Sequence, residues 1–234
     1  MKHSFYIPSE NISENKVIFT PEQNLKIRKV LRLKDKDFIR VSNGCGLSYK
    51  VNALTGDIFE KTFTEKNCPV SVNLILGISK SNAFETSLQK AVELGVDNII
   101  PFVAERSLIK IKDAEKKKSR YLDIMISAFC QCKRNYMPVL SGIADNIAEI
   151  DIKNGLKLLL YEEEKENTLK NALEKNNNPR EITLYIGPEG GITSNEAGLF
   201  LEKGFIPCKL NDNILRCETA VIAALSGLYF YYGT

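Results

Sequence analysis

The rhythm of apolar and polar positions changes near residue 70. Before it, apolar residues come in short runs at 5–7, 16–19, 38–41, 47–51 and 58–64, most of them flanked by proline, glycine or asparagine. That is the pattern of short strands joined by turns. Ser42-Asn43-Gly44-Cys45-Gly46 lies between two of these runs and predicts a hairpin with a glycine-containing loop. Residues 25–31 form a short helix candidate. Together these elements predict a compact β-barrel over residues 1–70, a unit of marginal size that leans on the rest of the chain.

Beyond residue 70 the runs lengthen and alternate with helical periodicity. Strands are expected at 72–78, 96–102, 156–161, 182–186 and 205–210. Phe84, Leu88, Ala91 and Val92 mark the buried face of a helix that Gly95 ends. Tyr121, Ile124, Ala128 and Phe129 mark the buried face of another at 116–132. Further helices are expected at 168–175 and 218–230. Between them Thr193 reads as an N-cap with Glu196 at the capping-box position, and Gly204 closes that helix. Strand–helix alternation with nearly continuous apolar strands predicts an α/β domain over residues 71–234, its parallel sheet covered on both faces.

Composition agrees with a globular chain: 44% of the 234 residues are hydrophobic and 26% charged, which excludes wholesale disorder and collagen-like or coiled-coil chains. The longest apolar stretches, 155–161 and 225–232, are far shorter than a membrane span. No apolar segment follows Met1-Lys2-His3-Ser4, so a cytoplasmic location is expected. The net charge of +3 hides an asymmetry: residues 1–70 carry 12 basic and 8 acidic side chains, and 71–234 carry 20 and 21. Two basic runs stand out. One contains Lys26, Arg28, Lys29, Arg32, Lys34, Lys36 and Arg40, the other Lys112, Lys116, Lys117, Lys118 and Arg120. Such patches bind a phosphate backbone, or simply keep a surface solvated.

Six cysteines, at 45, 68, 130, 132, 208 and 217, have no disulfide or zinc spacing, so no metal is expected. His3 is the only histidine. Histidine-based triads and helical zinc motifs are thereby excluded.

Two motifs carry the candidate chemistry. Gly187-Pro188-Glu189-Gly190-Gly191 follows a buried strand directly. Three glycines in five residues fit either a tight turn or a backbone that approaches a ligand beyond the strand's carboxyl end. The spacing is neither a dinucleotide fingerprint nor a P-loop. The stretch from Leu210 to Ala220 reads LNDNILRCETA. There Arg216, Glu218 and Thr219 beside Ile214 and Leu215 fit a cradle for a heterocycle, with an Arg–Glu ion pair fixing the loop. The plainer alternative is a helix start that happens to carry that pair.

In order and spacing, several segments resemble the bacterial family that methylates N3 of a specific uridine in small-subunit (16S) ribosomal RNA, within the SPOUT superfamily of knotted methyltransferases. They are Val30-Leu31-Arg32, the stretch from Gln89 to Val96, Glu105-Arg106-Ser107, Gln131-Cys132-Lys133-Arg134 with Pro138, the glycine motif, and the stretch from Ile214 to Ala220. The resemblance covers essentially the whole chain. Asn211 stands where that family usually has glycine. Because asparagine tolerates a positive φ, the loop is expected to keep its shape.

The resemblance implies an N-terminal PUA-like barrel that handles RNA, a trefoil knot near the chain end, a homodimer, and S-adenosylmethionine as cofactor. It implies cofactor binding by Leu160, Tyr161, Ile186, Gly187, Pro188, Glu189, Gly190, Leu210, Asn211, Ile214, Leu215, Arg216 and Ala220. Arg134 and Arg216 are the candidates to stabilise charge on the base, and Gln131 to hydrogen-bond its edge. Glu218 is either an arginine's structural partner or a proton acceptor. Arg28, Lys29, Arg32, Lys116, Lys117 and Lys118 are the candidate phosphate contacts. Phe5 and Tyr6 either stack on a base or fill the barrel core. Two other functions remain open: a non-catalytic RNA-binding or ribosome-assembly protein with the same fold, and a SPOUT methyltransferase acting on another nucleotide.

Overall fold

Two sheets of opposite character organise the chain. The computed structural model describes residues 1–66, 69–79, 82–152, 154–176 and 178–232, so Cys68 lies outside the described residues. The chain divides into two compact units, Met1–Lys66 with Ile126–Met137 and Asn67–Met125 with Pro138–Thr234.

The smaller unit contains β1 (Ser4–Tyr6), α1 (Pro21–Leu25), β2 (Phe38–Ser42), β3 (Leu47–Asn52) and β4 (Ile58–Phe63). They form one sheet in the order β1-β2-β3-β4. β1 runs parallel to β2, and β2–β3 is the expected antiparallel hairpin. Gly44 and Gly46 supply the positive φ values its loop requires. Alternation puts Ile39, Val41, Tyr49 and Val51 on one face, where they form a core with Phe5, Ile7, Val17 and Ile27. Phe5 therefore fills the core, while Tyr6 packs edge-on against Phe129 at 5.8 Å.

The expected strand at 16–19 is absent. Only isolated bridges, Ile12 with Val17 and Lys16 with Asp57, form there. The helix begins earlier than the periodicity indicated, at Pro21. Thr20 and Gln23 make a capping box, and the helix continues through a wider π-type turn at Lys26–Val30. Segment 126–137 joins this unit through backbone and side-chain bonds. Arg40, buried on β2, donates to the Arg134 carbonyl (3.1 Å) and to Asn135 Oδ1 (2.6 Å), and the Met137 amide donates to the Gly44 carbonyl (2.9 Å).

The larger unit contains β5 (Ser71–Gly77), α2 (Asn82–Glu93), β6 (Asn98–Phe102), α3 (Ile111–Glu115), α4 (Lys118–Cys132, of which 118–125 belongs here), β7 (Val139–Leu140), β8 (Leu156–Leu160), α5 (Leu169–Lys175), β9 (Glu181–Ile186), α6 (Ser194–Glu202), β10 (Ile206–Cys208) and α7 (Cys217–Tyr232). Its sheet is wholly parallel, in the order β10-β8-β9-β5-β6-β7.

The expected apolar faces of the helices are buried, with one shift: Ile124 is half-buried and Met125 takes the fully buried place. Phe84 meets Tyr121 at 4.8 Å, and α7 packs against α2. On the other side of the sheet Phe102, Tyr185, Phe200 and Phe205 form an aromatic core, with Tyr185 and Phe200 stacked at 4.1 Å. Each large side chain so buried contributes about 1.5–3 kcal/mol.

Candidate active site

β9 enters the sheet between β8 and β5, although β5 precedes it by a hundred residues of chain, so the connections reverse direction across this part of the sheet. Ligand sites of open α/β sheets form beyond the strand ends at such reversals. A cavity of about 430 Å³ lies there, within the usual size of a small-molecule site. Its floor is a row of the last residues of three adjacent strands. Cys208 of β10 is in register with Leu160 of β8, which is in register with Ile186 of β9. Its walls are the chain that leaves those strands, residues 160–162, 186–191 and 208–217, closed by Ala220 of α7. All lining residues belong to the larger unit.

The glycine motif is shaped by close approach. A Cβ on Gly77 of β5 would stand 2.5 Å from Pro188 Cδ and 2.7 Å from the Gly187 carbonyl carbon. One on Gly187 would stand 2.5 Å from Ile192 Cγ1. The loop thus lies directly on backbone and leaves its own backbone edge to the cavity. The Gly191 amide closes the turn onto the Pro188 carbonyl at 2.9 Å.

Thr193 caps α6 as expected, its Oγ1 accepting from the Glu196 amide at 3.0 Å. The Glu196 carboxylate accepts from the Tyr185 hydroxyl at 2.6 Å. Glu105 accepts from Thr193 Oγ1 and Asn195 Nδ2, both at 2.5 Å, and these bonds lower its carboxyl pKa. Arg106 Nη1 donates to the Gly190 carbonyl at 3.2 Å. Glu162 Oε1 accepts from the Ile192 amide at 3.0 Å.

The third wall is held differently from expectation. Asn211 does not have a positive φ. Its Oδ1 accepts from the Asn213 amide at 2.9 Å, an Asx turn that shapes the loop without left-handed backbone. Lys209 Nζ pairs with Asp212 at 2.6 Å and lowers that carboxyl pKa. Burial pushes the thiol of Cys208, in the floor, up to about 12 and that of Cys217, in the wall, up to about 11.

Every residue expected to bind cofactor lines this one cavity: Leu160, Tyr161, Ile186, Gly187, Pro188, Glu189, Gly190, Leu210, Asn211, Ile214, Leu215, Arg216 and Ala220. Apolar Leu160, Ile186 and Leu215 facing backbone-rich loops fit a flat heterocycle with a polar tail, the shape of S-adenosylmethionine. Arg216 is exposed at the cavity rim and, among the described residues, makes no ion pair with Glu218. The expected Arg–Glu pair is therefore absent: residues two apart at a helix start do not face each other. Glu218 is half-buried, and among the described residues its Oε2 has no hydrogen-bond partner.

Gln131 and Arg134 lie in the smaller unit, as do the exposed Arg28, Lys29 and Arg32. Lys116 and Lys118 are exposed and Lys117 half-buried in the larger unit. Sequence reasoning missed Glu105, Arg106 and Glu162 as site residues. Only the motif Glu105-Arg106-Ser107 carried a signal for any of them. Among the described residues no cluster of metal-ligating side chains occurs, and no helix is long and apolar enough to cross a membrane.

Residues 66–229 match the family of RNA methyltransferase domains. Ribosomal RNA small subunit methyltransferase E of Buchnera aphidicola subsp. Schizaphis graminum is 34% identical, the match covering 88% of this chain and 87% of that protein. The protein of the same name from Synechocystis sp. is 30% identical over 97% of this chain and 77% of its own length. Among solved structures, Ribosomal RNA small subunit methyltransferase E from Neisseria gonorrhoeae, bound to S-adenosyl methionine, superposes with a TM-score of 0.86 at 29% identity, covering 100% of this chain and 99% of that one. The family match, the relatives' identity over nearly the whole chain and the strand-end cavity agree: the chain belongs to the ribosomal RNA small subunit methyltransferase E family of RNA methyltransferases.

Proposed function

We propose that this protein transfers a methyl group from S-adenosylmethionine to N3 of a specific uridine in small-subunit (16S) ribosomal RNA. The observation that carries the reading is the cavity itself, walled by three loop backbones and rimmed by the exposed Arg216. The Neisseria gonorrhoeae relative holds S-adenosyl methionine, and the chain shares that protein's fold along its full length.

When bound, the cofactor supplies a methyl group on a sulfonium, an electrophile that needs no further activation. The protein's task is orientation and electrostatics. The loops 160–161, 187–190 and 210–216 hold the cofactor and keep water from it. Uracil N3 is a poor nucleophile until its proton leaves, after which negative charge spreads to O2 and O4. The Arg216 guanidinium opposes that charge. The unpartnered oxygen of Glu218 makes this residue the candidate proton acceptor.

In the same reading the smaller unit is a PUA-like RNA-binding domain. Arg28, Lys29 and Arg32 contact phosphates, and Lys116, Lys117 and Lys118 form a second patch. The insertion of β9 between β8 and β5 supports a SPOUT-type knot toward the chain end. The chain acts as a homodimer in the cytoplasm. Exposed Tyr229, Phe230 and Tyr231 at the end of α7 support a partner copy.

The test is methyl transfer from labelled S-adenosylmethionine to unmodified small ribosomal subunits and, separately, to free ribosomal RNA, followed by nucleoside analysis. Label in 3-methyluridine is the expected result. Label in another nucleoside, or none with either substrate, would overturn the assignment of atom and RNA. Absence of cofactor binding would overturn the enzyme reading altogether.

A further inference from the structure

The glycine loop is gripped from two sides by side chains that lie elsewhere in the chain. Arg106, in the turn that follows β6, donates to the Gly190 carbonyl at 3.2 Å. Glu162, in the turn that follows β8, accepts from the Ile192 amide at 3.0 Å. In the sheet β8 lies on one side of β9 and β6 on the other, so the two grips come from opposite flanks. They converge on Gly191. Its φ is +75°, and a Cβ there would overlap Glu162 Oε1 and stand 3.4 Å from Arg106 Nη1. The backbone requires glycine at 191, and the missing Cβ leaves room there for the Glu162 carboxylate.

We propose that Glu162 is a positioning residue for the cofactor loop. By holding the Ile192 amide and filling the space over Gly191, its carboxylate keeps 187–191 in the conformation that walls the cavity. The inference rests on reading that cavity as the S-adenosylmethionine site. A loop with three glycines has much conformational freedom, and ordering it during binding weakens affinity. A side chain that orders it beforehand removes that loss. Glu162 acts through the loop and not on the reacting atoms, so it sets how tightly cofactor binds and leaves the chemical step alone.

The experiment is calorimetric titration of S-adenosylmethionine into the wild type, Glu162→Ala, Glu162→Gln, Gly191→Ala and the Glu162→Ala/Gly191→Ala double variant, with steady-state kinetics alongside. Glu162→Ala is expected to weaken binding about tenfold, the range of one hydrogen bond to a charged acceptor. Glu162→Gln stays within about threefold of wild type, because the amide carbonyl still accepts from Ile192. The KM for cofactor rises with Kd, while kcat at saturating cofactor changes less than about twofold. The double variant loses less than the product of the two single losses, since no carboxylate then has to be displaced by the new Cβ.

Unchanged affinity in Glu162→Ala would overturn the proposal, as would a Gln variant no better than Ala, or a fall in kcat at constant KM. A wild type that binds no S-adenosylmethionine would instead overturn the assignment of the cavity.

Discussion

The hydroxyl of Tyr185 donates a 2.6 Å hydrogen bond to Glu196 Oε1, and both side chains are buried. Tyr185 is the penultimate residue of β9, and Glu196 lies in the first turn of α6. The bond therefore joins the strand that enters the glycine loop to the helix that leaves it. Tyr185 is itself fixed by stacking on Phe200 at 4.1 Å. Burial raises the Glu196 carboxyl pKa above its ordinary value and pushes the Tyr185 hydroxyl well above its own.

Removing the donor isolates the acid. Tyr185→Phe keeps the ring stack but leaves the Glu196 carboxylate with no hydroxyl, which is expected to cost about 1–3 kcal/mol at pH 7. The sign with pH follows from the raised pKa in the folded state. The contribution of Glu196 is fully present below its unfolded value of 4.5 and is lost as pH rises through the folded one. The destabilisation by Tyr185→Phe is therefore larger at pH 7 than at pH 4. Urea unfolding at the two pH values checks it. A penalty independent of pH would mean that Glu196 carries no charge in the folded protein.

Gly77→Ala tests the floor beneath the loop. The substitution adds one methyl group where Pro188 and Gly187 already touch β5, and backbone on both sides has no rotamer to yield with. Overpacking of this kind costs about 1–3 kcal/mol of stability. Here it also displaces the cavity wall, so cofactor affinity is expected to fall at least about tenfold. Calorimetry with S-adenosylmethionine, beside a thermal melt, reads both effects.

The parallel sheet was legible because its strands are apolar runs that can only be buried, and the helices because Phe84, Leu88, Ala91 and Val92 keep one face. β7, two residues at a sheet edge, has too little sequence to carry a pattern. The run at 16–19 looked like a strand, yet only Lys16 and Val17 find single partners, so no ladder forms. The start of α1 was readable in Thr20, Pro21 and Gln23, whose capping signal outweighs the weak apolar periodicity there. At the site, glycine density and the stretch from Ile214 to Ala220 located the cavity wall. Glu162 was not legible, and Arg106 only as part of the Glu105-Arg106-Ser107 motif, because their roles are bonds to backbone 30 and 84 positions away, and no local pattern encodes that. Asn211 was read as a tolerated substitute for glycine, whereas it shapes its loop through its own side chain.

Arg216 separates binding from chemistry. Its guanidinium is exposed at the rim. Arg216→Ala is expected to lower kcat by about 10²–10³, the scale of losing one donor to a developing oxyanion, with cofactor affinity within a few-fold of wild type. Arg216→Lys recovers only part of the loss, since an ammonium keeps the charge but not the planar fork. Single-turnover methylation of small subunits at saturating S-adenosylmethionine measures this. A variant with normal kcat and raised KM for cofactor would move Arg216 from the base to the cofactor.

The basic side chains make their prediction through salt. Arg28, Lys29 and Arg32 are exposed, whereas Arg40 of the same run is buried in bonds to Ser4, Arg134 and Asn135. The first three are open to phosphate and Arg40 is not. Each phosphate contact to single-stranded RNA contributes about 0.7 to the slope of log K against log salt. Replacing all three by alanine is expected to flatten that slope by about 2 and to weaken RNA binding most at low salt. Arg40→Ala, by contrast, should lower the unfolding midpoint with little change in slope. Filter binding of ribosomal RNA across a salt series distinguishes the two variants. An unchanged slope in the triple variant would transfer the phosphate contacts to Lys116, Lys117 and Lys118.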